Sequence, residues 1–80
     1  MSELSRLKWQ CRRGMRELDE LLIRYLTTRY EQADTAEKTA FRRVLALPDP
    51  ELNGYLLQRQ VPDSTEIATV IAHVLQHPDT

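Results

Sequence analysis

The sequence predicts an all-α fold, a compact five-helix bundle of short, mostly antiparallel helices that spans residues 1–80 as one domain. Apolar residues recur at helical spacing, and no strand-like alternation extends beyond a few residues. Prolines and turn-forming residues divide the chain at short intervals, and short connections favour antiparallel neighbours. The 80 residues, 41% of them hydrophobic, suffice for one small core.

The first two helices are predicted on either side of Gly14. The first covers about residues 3–12, with Leu4, Leu7 and Cys11 on one face. Gly14 follows at a point where helices often end with a glycine in the left-handed conformation. The second helix, about residues 15–31, is the longest and forms the spine of the fold. Its continuous face is expected to hold Met15, Leu18, Leu22, Tyr25 and Leu26, and it can extend to Arg29.

The third helix is predicted to begin at Asp34 or Thr35 and to end before Pro48. Glu37 stands three residues after Asp34, where a capping box places its second member. Leu47 precedes Pro48, and the residue before a proline is pushed out of the helical region. The buried stripe of this helix is predicted to contain Ala40, Phe41, Val44 and Leu45.

The last two helices follow proline-containing turns. In the fourth, Asp49 is the expected N-cap and Pro50 suits the first helical position. Ser64 is predicted to cap the fifth helix, which should end at His77 and Pro78. This last helix has the most regular apolar pattern of the chain, formed by Ile67, Val70, Ile71, Val74 and Leu75.

Composition excludes several classes of function. Two glycines cannot supply a glycine-rich phosphate-binding loop, and one cysteine allows neither an internal disulfide nor a multi-cysteine zinc site. The longest apolar runs have about three residues, whereas a membrane-spanning helix needs roughly 20. The N-terminal residues lack the apolar segment of a secretory signal. We therefore expect a protein of a reducing compartment, the bacterial cytoplasm or an organelle matrix, without direct membrane insertion.

Charge is distributed unevenly along the chain. Residues 1–30 contain seven Lys or Arg and four Asp or Glu, whereas residues 31–80 contain four and eight. This asymmetry fits either a solvated helix face or a partner surface. A net charge of −1, without a basic stripe along a full helix, argues against a nucleic-acid partner.

No catalytic arrangement is apparent in the sequence. His73 and His77 have metal-ligand spacing, but no third ligand is evident, so two surface histidines are the favoured interpretation. Cys11 occupies an apolar helical position and is expected in the core. A bundle of this size also offers little concave volume for excluding water from a substrate. The sequence therefore predicts a protein that is not an enzyme.

Residues 12–19 form a charged junction between the first two helices. Gly14 allows the backbone to turn, and Glu17 falls in the first turn of the second helix, where it complements the positive helix end. Arg13 and Arg16 are expected to project outward around this corner. The pattern fits a locally capped junction with solvated arginines, or a rigid corner that docks on a carboxylate-bearing protein. Trp9 is either an exposed anchor or a cover for the junction.

The segment Arg13-Gly14-Met15-Arg16-Glu17 matches the RGxxE signature and resembles the small flavinylation factors of succinate dehydrogenase. The preceding Trp9-x-Cys11-Arg12 stretch and the later Asp49-Pro50-Glu51-Leu52 stretch also look like this family. Tyr55 departs from it, because the family commonly has tryptophan near that position. The resemblance covers most of the chain.

The resemblance implies a five-helix bundle that binds the flavoprotein subunit of succinate dehydrogenase, and in bacteria that of fumarate reductase. Such factors promote covalent attachment of FAD to a histidine of the subunit. The FAD belongs to the partner. This chain is therefore expected to bind no cofactor stably and no metal. A monomer that pairs with its client is expected. The alternative is a helical adaptor or regulator with an unrelated protein or nucleic-acid partner. The implied partner-binding residues are Trp9, Arg13, Gly14, Met15, Arg16, Glu17 and Asp19.

Overall fold

Five α-helices make up the structure, a computed structural model that describes residues 2–76. The helices are α1 Glu3–Gln10, α2 Arg16–Thr28, α3 Thr35–Leu45, α4 Asp49–Leu56 and α5 Thr65–Leu75, with a 3₁₀ turn at Tyr30–Gln32. No strand occurs within residues 2–76. The predicted all-α bundle is therefore confirmed. His77 and Pro78, which were expected to end α5, lie outside the described residues.

Two helix starts form as predicted from their capping residues. The Asp34 carboxylate accepts a hydrogen bond from the Glu37 amide at 2.8 Å, and the Ser64 hydroxyl accepts one from the Ile67 amide at 3.3 Å. Each bond satisfies one amide that the first helical turn leaves without a carbonyl partner. Local sequence chemistry therefore sets where α3 and α5 begin.

The start of α4 corrects one expectation. Its N-cap is Pro48, not Asp49, because the Pro48 carbonyl already accepts bonds from the amides of Glu51 and Leu52 at 3.0 and 3.1 Å. Asp49 is consequently the first helical residue, and Pro50 is the second. The Asp49 carboxylate therefore does not cap α4, and it pairs with Arg13.

The first two helices are shorter than predicted. α1 ends at Gln10 because the Cys11 amide bonds to the carbonyls of both Leu7 and Lys8, which tightens the last turn. α2 ends at Thr28, and the chain continues as the 3₁₀ turn instead of helix. The connection over residues 57–64 is longer than the short turns predicted. These differences move helix ends without changing the order of the elements.

The hydrophobic core is centred on Phe41, which is fully buried in α3. The Tyr25 ring lies 4.5 Å from the Phe41 ring, and the Tyr30 ring lies 5.6 Å from it, measured between centroids. Cys11 is also fully buried, and burial raises its pKa to about 11, with Arg13 opposing and Asp19 adding to the rise. The prediction that Cys11 is a core residue is thus confirmed.

A group of polar residues connects the end of α2 to α3 and α5. We call it the Glu37 cluster, and it consists of Tyr25, Arg29, Glu37 and His73. The Tyr25 hydroxyl and Arg29 Nε both donate to Oε2 of Glu37, the latter at 2.8 Å. Arg29 Nη2 lies 3.3 Å from Nε2 of His73. Glu37 therefore turns into the bundle, so only the Asp34 half of the expected capping box forms.

Candidate partner-binding site

The turn between α1 and α2 depends on the backbone conformation of Gly14. Its φ of +76° lies in the left-handed region, which residues with a Cβ adopt only at a cost. A Cβ placed on Gly14 would meet no heavy atom within 4 Å. Glycine is therefore required here by backbone conformation and not by crowding, and the corner faces open space.

Arg13 does not project outward, and that expectation was wrong. Its side chain is only 15% exposed. The guanidinium donates to the carbonyls of Gln10 (3.0 Å), Leu47 (3.0 Å) and Leu45, and to the carboxylate of Asp49 (3.1 Å). The last carbonyls of α3 have no amide partner within their own helix, and the five donors of a guanidinium can satisfy several of them at once. Arg13 therefore joins the ends of α1 and α3 to the start of α4.

Asp19 fixes the corner from the other side. Its Oδ1 accepts a hydrogen bond from the Arg13 amide at 2.7 Å, which ties the residue before Gly14 to the first turn of α2. Met15 is half-buried and packs against the hydrophobic core. Arg13, Met15 and Asp19 were all predicted to bind a partner, and in the structure each of them holds the corner in place.

The remaining predicted site residues are exposed. Trp9 is 71% exposed, so the tryptophan does not cover the junction between the first two helices. Glu17 lies in the first turn of α2, as predicted, and is exposed. The Arg16 side chain is 92% exposed and pairs with Glu20 at 3.4 Å, an ion pair that water screens strongly. We define Trp9, Gly14, Arg16 and Glu17 as the docking corner.

A shallow groove of about 700 Å³ continues from the docking corner along the solvent side of α2, and its lining includes Gly14, Arg16, Glu20, Ile23, Arg24 and Thr27. Sequence reasoning missed this outer groove. Ile23 falls outside the buried stripe of Leu18, Leu22 and Leu26, and that offset was the available signal. A single apolar residue of this kind is ordinary on a helix surface, so this signal alone did not identify a contact surface.

No metal-binding group of three or more His, Cys, Asp or Glu side chains occurs within residues 2–76. His73 is half-buried instead of lying on the surface, because it packs into the Glu37 cluster. His77 lies outside the described residues. No helix in the same part of the chain is long and apolar enough to cross a membrane.

Comparison with known families shows to which family this chain belongs. Residues 5–78 match the family described as flavinator of succinate dehydrogenase. The chain belongs to this family. The matched range contains the whole docking corner together with Arg13, Met15 and Asp19, so the resemblance drawn from the signature segment is confirmed.

Curated relatives in the flavinator family are named FAD assembly factor SdhE. The protein from Methylococcus capsulatus is 42% identical, over 90% of this chain and 87% of the relative. The one from Xylella fastidiosa strain 9a5c is 40% identical, over 96% and 79%. The one from Colwellia psychrerythraea is 38% identical, over 90% and 79%. These matches extend over nearly the whole bundle and are not confined to the short signature.

Proposed function

We propose that this chain is an assembly factor that binds the flavoprotein subunit of succinate dehydrogenase and promotes covalent attachment of FAD to it. The observation that carries the proposal is the docking corner. It is an exposed turn whose backbone is fixed by the hydrogen bonds of Arg13 and Asp19. Membership in the flavinator family and the names of the relatives support this client. They favour it over an adaptor with an unrelated partner.

Each exposed residue of the docking corner has a distinct contribution to binding. Trp9 offers a large apolar surface of the kind that dominates interface energies. Arg16 and Glu17 offer charges of opposite sign at the start of α2, and these select a complementary partner surface. Gly14 lets a partner approach the backbone closely because no side chain stands there. Arg13, Met15 and Asp19 act indirectly, by holding these groups in place.

The chemistry of flavin attachment belongs to the partner in this proposal, and the chain acts as a chaperone without a cofactor of its own. Covalent attachment requires the flavin and the acceptor histidine to be held in one reactive geometry. A factor that binds this arrangement more tightly than the open one raises its population. Each tenfold difference in affinity shifts the equilibrium by about 1.4 kcal/mol. A bundle without catalytic residues can therefore accelerate the reaction.

We further propose that the flavoprotein subunit of fumarate reductase is a second client, and that the chain is a monomer until it pairs with a client. The relatives come from bacteria, so we expect the bacterial cytoplasm as the site of this encounter. No nucleic acid takes part.

Covalent flavin fluorescence of the flavoprotein subunit, measured on a denaturing gel, tests the proposal. Cells that lack this chain should show a clear loss of signal, and wild type should restore it. Gly14→Arg should not restore it; the left-handed backbone disfavours any Cβ by about 1 kcal/mol, but no neighbouring atom adds a clash, so a melting curve should show that this variant still folds. Ala72→Arg places the same side chain on the exposed face of α5 and should restore the signal. Unchanged covalent flavin in cells that lack the chain would overturn the proposal.

A further inference from the structure

The outer groove of α2 begins at Gly14 and reaches Thr27. It lies on the side of α2 that faces solvent, opposite the buried Leu18 and Leu22. Ile23 lines the groove near its middle, where one side of its partly buried side chain packs against the hydrophobic core. The distance from Gly14 to Thr27 along the helix is about 20 Å, which about six residues of extended chain would span.

Two arginines and two carboxylates line this groove, and Arg24 has no ion-pair partner among them. Arg16 and Arg24 flank Glu20, whose carboxylate already lies 3.4 Å from Arg16. The other carboxylate at the groove belongs to Asp19, and its Oδ1 accepts the Arg13 amide. Within residues 2–76, no carboxylate lies within ion-pair distance of Arg24. The groove therefore offers a guanidinium whose charge is not neutralised by a neighbouring side chain.

Arg24 also has an unused hydrogen-bond donor. Its Nε is shielded from solvent and has no hydrogen-bond partner among residues 2–76. A shielded donor without an acceptor costs free energy, and an incoming acceptor recovers it when the Arg24 side chain turns its Nε toward the groove. Carboxylates fit guanidinium groups well, because two parallel hydrogen bonds can form in one plane. The charge and the unused donor of Arg24 point to the same kind of ligand.

We propose that the client flavoprotein lays a carboxylate-bearing segment along the outer groove of α2, from Gly14 to Thr27. An Asp or Glu of that segment pairs with Arg24, and an apolar side chain covers Ile23. The groove is continuous with the docking corner, so one partner segment can contact both. This inference rests on the proposed function, and it adds Arg24 and Ile23 to the binding surface.

The dissociation constant between this chain and the purified flavoprotein subunit tests the role of Arg24. Arg24→Glu should weaken binding by about tenfold or more at low salt, because it places like charges together. The difference should shrink as salt is added. Arg43→Glu is the matched control, since Arg43 is 58% exposed on α3 and has only a 3.9 Å contact with Glu66. It should bind like wild type.

Two comparisons separate this inference from the proposed function. If Gly14→Arg loses binding while Arg24→Glu binds like wild type, the groove assignment is wrong and the docking corner stands. If wild type does not bind the flavoprotein, both fail. Arg24→Gln removes the charge without reversing it, and a melting curve shows whether either variant unfolds. A folded Arg24→Gln with wild-type affinity would also overturn the inference.

Photo-crosslinking locates the partner segment independently. A benzoylphenylalanine at Thr27, the exposed far end of the groove, should crosslink to the flavoprotein at a peptide that contains Asp or Glu. The same group at Thr39, exposed on α3, should not crosslink. The same group at Trp9 reports on the docking corner. Crosslinking from position 9 without crosslinking from position 27 would contradict the proposed path of the segment.

Discussion

The docking corner and the Glu37 cluster both bring charged residues from several helices together, yet they use those residues differently. In the Glu37 cluster, Tyr25 and Arg29 donate to the same carboxylate, and the Glu37 side chain is only 14% exposed. At the corner, partly buried hydrogen bonds of Arg13 fix the backbone, and Arg16 remains 92% exposed to solvent. The first arrangement neutralises its charges internally, whereas the second presents them to a partner.

This difference shows that charge density alone does not mark a binding surface. The pKa of Tyr25 is raised, first by burial and then by its hydrogen bond to Glu37. Burial of Glu37 acts to raise its pKa, but the hydrogen bonds from Arg29 and Tyr25 outweigh burial and lower it. Tyr25, Arg29 and Glu37 already satisfy one another. A binding surface instead combines a fixed backbone with side chains that have free donors, acceptors or apolar area.

The largest effect on stability is expected for Arg13→Ala. This change leaves the carbonyls of Leu45 and Leu47 without their donor and separates the corner from α4. We expect the free energy of unfolding to fall by about 2–3 kcal/mol, as for buried groups that lose a charged partner. Urea denaturation followed by the helical circular-dichroism signal measures it.

Arg16→Ala is the matched control for Arg13→Ala, because it removes the same side chain three residues away. Arg16 makes only a screened ion pair with Glu20, so its loss should leave stability unchanged. The same variant should weaken binding to the flavoprotein. If both alanine variants destabilise the bundle equally, the distinction between Arg13, which stabilises the corner, and Arg16, which contacts the partner, is wrong.

The second largest effect is expected for Glu37→Gln. The amide keeps one oxygen for the Tyr25 hydroxyl but loses the charge that holds Arg29. The free energy of unfolding should fall by about 1–2 kcal/mol at neutral pH. Flavinylation at saturating concentrations of the variant should persist, because Arg29 lies about 20 Å along α2 from the docking corner.

The pH profile of unfolding checks the cause of that effect. The pKa of Glu37 is lowered in the folded state from its ordinary value of 4.5. The stability it contributes is therefore complete above pH 4.5 and is lost as pH falls through the folded-state pKa. The difference between wild type and Glu37→Gln should shrink over that range. A constant difference down to strongly acidic pH would show that packing, not the charge, accounts for it.

Local signals in the sequence predicted two helix starts, the turn at Gly14 and the buried faces of the helices. Asp34 and Ser64 identified helix starts, because a capping side chain acts within three residues of itself. Gly14 identified the left-handed turn between α1 and α2. The apolar stripes predicted the buried faces, including Phe41 and Cys11.

Contacts between distant residues were not predictable in this way. Arg13 was expected in solvent, and it turns inward because the end of α3, more than thirty residues later, supplies its acceptors. Glu37 was expected to complete a capping box, and two donors, Tyr25 in α2 and Arg29 just after it, attract it instead. In both cases a tertiary partner competes with the local one. The exposure of Trp9 likewise depends on how α1 packs, which helical periodicity does not fix.

A smaller effect is expected for Gly14→Ala. The left-handed backbone disfavours a Cβ by about 1 kcal/mol, and no neighbouring atom adds a clash. Urea denaturation should show that loss, and alanine should weaken binding less than arginine does at the same position. Gly14→Asn should recover part of the stability, because asparagine tolerates this conformation. A much larger loss with alanine would mean that the corner is crowded, not open.

The smallest effect on stability, together with a large effect on binding, is expected for Trp9→Ala. Because Trp9 is 71% exposed, its removal should change the free energy of unfolding by no more than about 0.5 kcal/mol. Affinity for the flavoprotein should fall by about tenfold or more, as at interface tryptophans. Val61→Ala is the matched control, since Val61 is an apolar residue that is 82% exposed in the 57–64 connection. It should change neither quantity, and equal affinity losses for both variants would mean that exposed apolar area in general, and not the docking corner, drives association.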